Sequence, residues 1–214
     1  MRKIVSQIKM QDRELVCKDR SGKFHPLFKK QGSLDGACAT YSVVMNLLIL
    51  GVIYESDTRV NAEHKSRTTK KLFKVFCNDY GMHRDGQTFY KIKRMLNESF
   101  ASIITTEHKL TENQDSVDYI VECIDNDIPV IISISASNFA HAMLAVGYET
   151  QDDVPSRILC LDPSGDYIRG RKRWNAEIGL SQGRKTVSYS TVAEGIPSIS
   201  FVHLDDILIL TKVE

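Results

Sequence analysis

The sequence lacks a charge excess of either sign, a long hydrophobic run and any C-x-x-C pair. Lysine and arginine together number 28 and aspartate and glutamate 27, so no global field favours nucleic acid or an anionic lipid surface. The longest apolar stretch, residues 43–53, is interrupted by Asn46 and is too short to cross a bilayer. We therefore expect no nucleic-acid partner and no membrane span.

The sequence also lacks the patterns of several special protein classes. Its five cysteines are an odd number without metal-ligand spacing, which argues against a disulfide framework and a structural zinc site. No signal-peptide pattern opens the chain, because Lys9 and Asp12 follow the basic start too closely. We expect a cytoplasmic protein with free thiols, with export by a signal-independent route left open. No glycine-rich phosphate loop or calcium loop is found, so we expect no cofactor and no metal.

What remains is an ordinary globular composition. The chain has 214 residues, 42% of them hydrophobic and 26% charged, which favours one domain over residues 1–214 with a substantial core. Apolar periodicity predicts helices over 37–51, 60–80 and 88–98, and a helix capped by Ser116. Strands are predicted over 101–106, 129–135, 140–148, 157–161, 186–191, 199–203 and 207–211, after a hairpin or extended arm in residues 1–30. This order indicates an α+β fold whose helical N-terminal half packs a buried helix on an antiparallel sheet.

Cys38 lies where a polar, glycine-containing loop enters the most apolar helix of the chain. The positive end of a helix stabilises a thiolate and lowers the pKa of a cysteine, and the thiolate is the nucleophilic form. The small residues Gly36, Ala37 and Ala39 would let a substrate backbone approach. A cysteine that only packs at the helix start is the alternative.

A nucleophilic cysteine needs a base, and His141 is the strongest candidate because it opens the apolar strand that ends at Tyr148. The alternative for His141 is a residue at the edge of the core that hydrogen-bonds a backbone carbonyl. The other histidines lie among charged residues, in an irregular stretch or near a strand end; they are His25, His64, His83, His108 and His203.

A base in turn needs an orienting group, and Asp162 ends the strand after that of His141. If the two strands form a hairpin, Asp162 and His141 become neighbours; otherwise Asp162 starts the turn before Pro163. Gln31, on the loop before Cys38, could donate a hydrogen bond to an oxyanion together with the Cys38 N–H, or it is a surface glutamine.

The order Gln31, Cys38, His141, Asp162 resembles that of the papain-like cysteine peptidases. The chain looks most similar to the branch of the bacterial double-glycine leader peptidases and their stand-alone relatives. The supporting motifs are Ile128-Pro129-Val130-Ile131, Val146-Gly147-Tyr148, Asp162-Pro163 and Trp174, and the resemblance covers residues 31–175. Two departures are the wider spacing from Gln31 to Cys38 and Ala39 in place of the usual glycine.

The resemblance implies a thiol peptidase that cleaves a protein or peptide substrate through an acyl-enzyme. Cys38 would be the nucleophile, His141 the base, Asp162 the orienting residue and Gln31 the oxyanion donor. The same residues would serve a deamidase or an acyl or glutamyl transferase that modifies a partner protein. An inactive papain-fold binding module is the third alternative. Nothing in the sequence sets the oligomeric state.

Overall fold

The computed structural model describes residues 1–32, 37–58, 67–74, 88–110, 113–137, 139–167, 170, 172–180 and 186–213. These residues contain four α-helices and eleven strands. The helices are α1 Cys38–Ile49, α2 Arg67–Lys74, α3 Phe89–Phe100 and α4 Asn113–Asp125, with a 3-10 turn at Glu55–Thr58. The strands are β1 Arg2–Ile4, β2 Ile8–Gln11, β3 Glu14–Lys18, β4 Phe24–Pro26, β5 Ile104–Leu110, β6 Val130–Ala136, β7 Phe139–Gln151, β8 Val154–Leu161, β9 Ala176–Gly179, β10 Val187–Ala193 and β11 Ile196–Lys212.

The main sheet closes on itself. Strands β7, β6, β11, β10, β9 and β8 pair in that order, and β8 pairs back with β7, all antiparallel. The long strands β7 and β11 extend past the ring and pair there with β1 and β5. Strands β2, β3 and β4 form a separate three-stranded sheet. Because the sheet closes into a ring, it leaves few strand edges unpaired. This suits buried strands that are rich in β-branched residues.

Helix α1 is buried on nearly every side and packs on β7 and β6, as its apolar sequence predicts. Its polar residues are paired with strand backbone: Ser42 Oγ donates to the carbonyl of Ala142, and Asn46 Nδ2 donates to that of Pro129. These bonds replace water for groups that would otherwise be buried at a cost, and they fix how the helix lies on the sheet. None of the described helices is both long and apolar enough to cross a membrane.

The α+β class is confirmed, with a large antiparallel sheet and helices packed against it. The N-terminal half is mixed rather than helical, because four strands precede α1 and β5 separates α3 from α4. The helix predicted over 60–80 is described at residues 67–74, and its remaining residues lie outside the described ranges.

Two local predictions were wrong, and one strand was not predicted. Ser116 is not the N-cap of α4, because the helix begins three residues earlier and buries Ser116 inside it. The predicted strands 199–203 and 207–211 are one strand, β11, with an irregularity between Leu204 and Ile207. Strand β9 was not predicted, because four residues are too few to show a period.

Candidate active site

Cys38 is the first residue of α1, directly after the N-cap Ala37, and it is partly exposed. The backbone N–H of Ala142 donates to Cys38 Sγ at 3.4 Å, and Ser42, one turn further along the helix, donates to the carbonyl of the same Ala142 at 3.4 Å. Residues four apart lie on one helix face, so both contacts bind α1 to one point of β7. They bring the thiol beside the residue that follows His141.

His141 and Asp162 are brought together by the β7–β8 hairpin, in which Leu144 pairs with Leu161. His141 Nε2 lies 2.7 Å from Asp162 Oδ1. The His141 side chain is 11% exposed and the Asp162 side chain is fully buried. The start of one strand and the end of the next therefore place the imidazole between the thiol and a buried carboxylate.

The Asp162 carboxylate accepts hydrogen bonds from four directions. Besides the imidazole, Ser164 N–H donates to Oδ1 at 2.8 Å, Thr191 Oγ1 donates to Oδ2 at 3.1 Å, and the Tyr189 hydroxyl donates to Oδ2 at short range. Asn175 holds the backbone of the same residue, since its Oδ1 accepts from Asp162 N at 2.7 Å and its Nδ2 donates to Asp162 O at 2.8 Å. A buried charge with this many donors is both oriented and kept ionised.

The sequence did not indicate three of the residues that hold Asp162, namely Tyr189, Thr191 and Asn175. Tyr189 and Thr191 are two residues apart on β10, so they lie on one face of the strand, and the strand's alternation was the available signal. Which way that face points depends on the pairing of β10 with β9 and β11, which a single sequence does not show. Asn175 lies in the link before β9, the strand that was not predicted.

The three groups shift one another's pKa. Burial raises the pKa of the Cys38 thiol, but the hydrogen bond and charge of His141, together with the N–H groups of Ala142 and Ala39, lower it below its ordinary value overall. Burial lowers the pKa of His141, yet the hydrogen bonds of Asp162 and Cys38 raise it to about 10. Burial raises the pKa of Asp162, but its bonds to His141 and Tyr189 lower it overall. These directions favour a thiolate and imidazolium pair beside an ionised carboxylate.

The other described cysteines differ from Cys38. Burial raises the pKa of Cys17 to about 12, that of Cys123 to about 11, and that of Cys160 well above its ordinary value. All three side chains are buried. Among the cysteines in the described part of the chain, Cys38 alone is partly exposed with a lowered pKa; Cys77 lies outside that part.

Gln31 lies beside the turn that follows Asp162. Its backbone N–H donates to the carbonyl of Pro163 at 2.8 Å, and Ser164 Oγ donates to its side-chain Oε1 at 3.3 Å. The structure therefore connects the loop before the helix to the end of β8. Residues 33–36, between Gln31 and Cys38, lie outside the described ranges.

Cys38 and His141 line a cavity of about 260 Å³, together with Phe89, Ser133 and Asp206. A larger cavity, of about 370 Å³, is lined by residues of β9 to β11 and of the segment before β9, which include no cysteine or histidine among those described. Cys38 and His141 therefore place the candidate site in the smaller cavity. Within the described ranges, no three His, Cys, Asp or Glu side chains are grouped as metal ligands.

A thiol beside an imidazole that is oriented by a carboxylate is the arrangement of cysteine hydrolases such as the cysteine peptidases. A family model described as the Peptidase_C39-like family matches residues 23–193, well over half of the chain. The chain belongs to the Peptidase_C39-like family, which relates it at a general level to the C39-type cysteine peptidases. A comparison with curated proteins finds no match.

Proposed function

We propose that this protein is a papain-like cysteine peptidase that cleaves a peptide or protein substrate with Cys38 as nucleophile, His141 as base and Asp162 as orienting residue. One observation carries the proposal: the imidazole that contacts the partly exposed thiol at the start of α1 is also held at 2.7 Å by a buried carboxylate. Because Nε2 of His141 faces Asp162, the other ring nitrogen, Nδ1, serves the thiol.

The reaction follows from these contacts. His141 takes the Cys38 proton, and the thiolate forms a bond to the substrate carbonyl carbon. The tetrahedral intermediate collapses, the C–N bond breaks, and the imidazolium gives its proton to the leaving amine. Water, deprotonated by His141, then attacks the thioester, and the acid leaves as the thiol is restored. Asp162 stays ionised throughout and stabilises the positive charge on the ring.

The start of α1 supplies the stabilisation of the oxyanion in this proposal. The first N–H groups of a helix have no acceptor within the helix, and the N–H of Cys38 belongs to that first turn. The Gln31 side chain is the proposed second donor. Its support is the pair of bonds that hold Gln31 against Pro163 and Ser164, at the end of β8 where Asp162 also lies.

Membership of the Peptidase_C39-like family supports the further proposal that the chain is a stand-alone relative of the bacterial double-glycine leader peptidases. The motifs shared with that branch have structural roles here. Gly147 lies where β1 pairs with β7, and Asp162-Pro163 forms the turn that holds Gln31. Trp174 lies two residues before β9, with Arg2 and Lys172 over its ring.

Deamidation or acyl transfer would use the same residues, and the product mass separates the three reactions. We expect Cys38-dependent cleavage of a peptide library, seen as new termini. A gain of about 1 Da without cleavage would instead indicate deamidation, and a cross-link or adduct would indicate transfer. Cys38→Ala should abolish the product, and Cys123→Ala, which removes a buried cysteine, should not. Unchanged turnover in Cys38→Ala would overturn the proposal.

A further inference from the structure

A β-bulge places an acidic side chain in the cavity beside Cys38. Strand β11 pairs with β6 through Leu204 and Ile134 on one side of the irregularity and through Ile207 and Ile132 on the other. Two residues, Asp205 and Asp206, therefore oppose the single residue between those partners. A bulge of this kind re-aims a side chain, and such bulges are frequent next to active sites. Here Asp206 lines the cavity with the thiol and the imidazole, and Asp205 does not.

The Asp206 carboxylate has few neighbours among the described residues that could neutralise its charge. Its one described polar side-chain contact is His108, whose Nε2 lies 3.4 Å from Oδ2 and makes no hydrogen bond within the described residues. The Asp206 side chain is 25% exposed and that of His108 is 12% exposed. No lysine or arginine is found among the described residues that line the cavity. Acceptor sites of the Asp206 carboxylate therefore remain for a group that enters the cavity.

The charge of Asp206 matters because of the other residues that line the cavity. Among the described residues that line the cavity, a Cys38 thiolate and a His141 imidazolium cancel each other's charge, and Asp206 adds a second negative charge to that of the buried Asp162 behind the imidazole. Phe89, whose ring packs edge-on against His108, supplies an apolar wall. An apolar wall that ends in a carboxylate fits a side chain with a methylene stem and a cationic head.

We propose that Asp206 is a specificity-determining residue and that the cleft selects substrates with an arginine or lysine side chain close to the scissile bond. The inference rests on the proposed peptidase function, because it assigns the substrate class of that site. A guanidinium can make two parallel bonds to one carboxylate, so arginine should be preferred to lysine.

The first test compares matched peptides that carry arginine or its neutral isostere citrulline at each position around the cleaved bond. We expect the wild type to prefer arginine by about tenfold in kcat/KM at one position. In Asp206→Asn that ratio should fall to about one, whereas Asp205→Asn, a change in the neighbouring carboxylate outside the cavity, should keep it. Asp206→Ser replaces Asp206→Asn if the latter does not fold. No arginine preference in the wild type, or a preference that Asp206 variants retain, overturns the inference.

A second test needs no peptide turnover. Cationic and anionic methanethiosulfonates both transfer their alkylthio group to the Cys38 thiolate, which forms a mixed disulfide and releases methanesulfinate, and peptide mapping follows the modified residue. We expect the ratio of cationic to anionic rates to fall about tenfold in Asp206→Asn and to hold in Asp205→Asn. If that holds while the wild type cleaves no peptide, the peptidase proposal fails and the selectivity of the cleft stands. If Cys38-dependent cleavage occurs and neither assay depends on Asp206, the inference fails and the peptidase proposal stands.

Discussion

Asp162 is a fully buried carboxylate whose charge is retained because every side of it faces a donor. The donors are His141, Ser164, Tyr189 and Thr191. Burial alone would raise its pKa and neutralise it, and these bonds lower the pKa instead. The negative charge is therefore available to hold a proton on His141, which in turn holds the Cys38 thiolate.

Asp162→Asn should raise the pKa at which Cys38 becomes reactive. The amide keeps the shape of the side chain and removes its charge, so the imidazolium is less stable and the thiolate loses its counter-ion. We expect the pH profile of Cys38 alkylation to move to higher pH, with a loss of about 100-fold or more in kcat/KM. The control is Asp166→Asn, which changes a partly exposed carboxylate that pairs with Lys30 and should leave the profile in place. An unchanged profile in Asp162→Asn would remove Asp162 from the mechanism.

Gly165→Ala should disturb the surroundings of the Asp162 carboxylate without changing Asp162 itself. A Cβ at Gly165 would lie 2.5 Å from Thr191 Oγ1 and 3.2 Å from Asp162 Oδ2, so the donors around the carboxylate must move. We expect unfolding in urea to show a loss of about 1–3 kcal/mol, together with slower Cys38 alkylation near neutral pH. Gly22→Ala strains a φ of 82° but meets nothing within 4 Å, so it should lower stability and leave the alkylation rate unchanged. Equal alkylation rates in both variants would contradict this role for Gly165.

At the scale of single residues, the sequence identifies candidates that lie at the ends of predicted helices and strands. Cys38 at a helix start and His141 and Asp162 at strand ends could be selected in this way, and the structure brings them together. Tyr189 and Asp206 could not, because a distant strand and a bulge carry them to the site. The positions of these two side chains at the site can be inferred only when the pairing of β10 and β11 is known.

At the scale of elements, β7 is the strand on which the site depends. It contacts α1 and pairs with β6, β8 and β1. The pairing with β1 requires Gly147, because a Cβ there would lie 2.5 Å from the carbonyl of Lys3 and 2.9 Å from Ile4. Gly147 thus lets β1, the first strand of the chain, pair with β7 at close range.

Gly147→Ala should separate β1 from β7 while leaving the ring intact. The clash is with backbone, which cannot turn away as a flexible side chain does, so we expect a loss of about 1–3 kcal/mol in the free energy of unfolding. Hydrogen exchange should increase at Lys3 and Ile4 and remain slow at Ile132 and Leu144, inside the ring. A wild-type midpoint in urea and unchanged exchange would show that the close approach is not required.

Single elements were predicted best where a long apolar pattern sets the period. Helix α1 and strand β6 followed their patterns to within two residues, whereas β7 and β8 each extend three residues further into the turn between them than predicted. Strand β11 appeared as two strands because the bulge at Asp205 and Asp206 interrupts the alternation that identifies a strand. Helix α4 begins before Ser116, because Asn113 and Gln114 continue the helix without an apolar residue to mark it.

At the scale of the whole molecule, the closed ring explains how residues far apart in sequence meet. Strand β10 supplies Tyr189 and Thr191 and β8 leads into Asp162, with β9 between the two strands. Helix α1 packs on β7 and β6 and presents Cys38 from its first residue. The α+β class followed from the order of helices and strands, but ring closure did not, because the pairing of non-adjacent strands leaves no local signal in the sequence.

The thiol and imidazole pair also predicts how global stability depends on pH. Between about pH 6.5 and 8.5 the unfolded pair binds one proton, on Cys38, and the folded pair binds at least one, on His141. Above about pH 8.5 the unfolded thiol loses its proton, while the folded imidazole keeps one up to about pH 10. The folded state then binds more protons, so stability falls as the pH rises, by up to ~1.4 kcal/mol per pH unit.

Urea unfolding of the wild type and of the double variant Cys38→Ala/His141→Gln between pH 8.5 and 10 measures this term, since the double variant lacks both groups and contributions from the remaining groups cancel in the difference. We expect the stability of the wild type to fall toward that of the variant across this range. A constant difference across the range would mean that His141 does not hold a proton at high pH in the folded protein.

The most direct test of the central claim is the rate of Cys38 alkylation by iodoacetamide as a function of pH, followed by peptide mapping. We expect Cys38 to react well below the free-thiol pKa of about 8.5, and His141→Ala to abolish this low-pH reactivity. Cys123 in the same sample gives the profile of a buried thiol with a raised pKa. A Cys38 profile that matches that of Cys123, or one that His141→Ala leaves unchanged, would contradict the account.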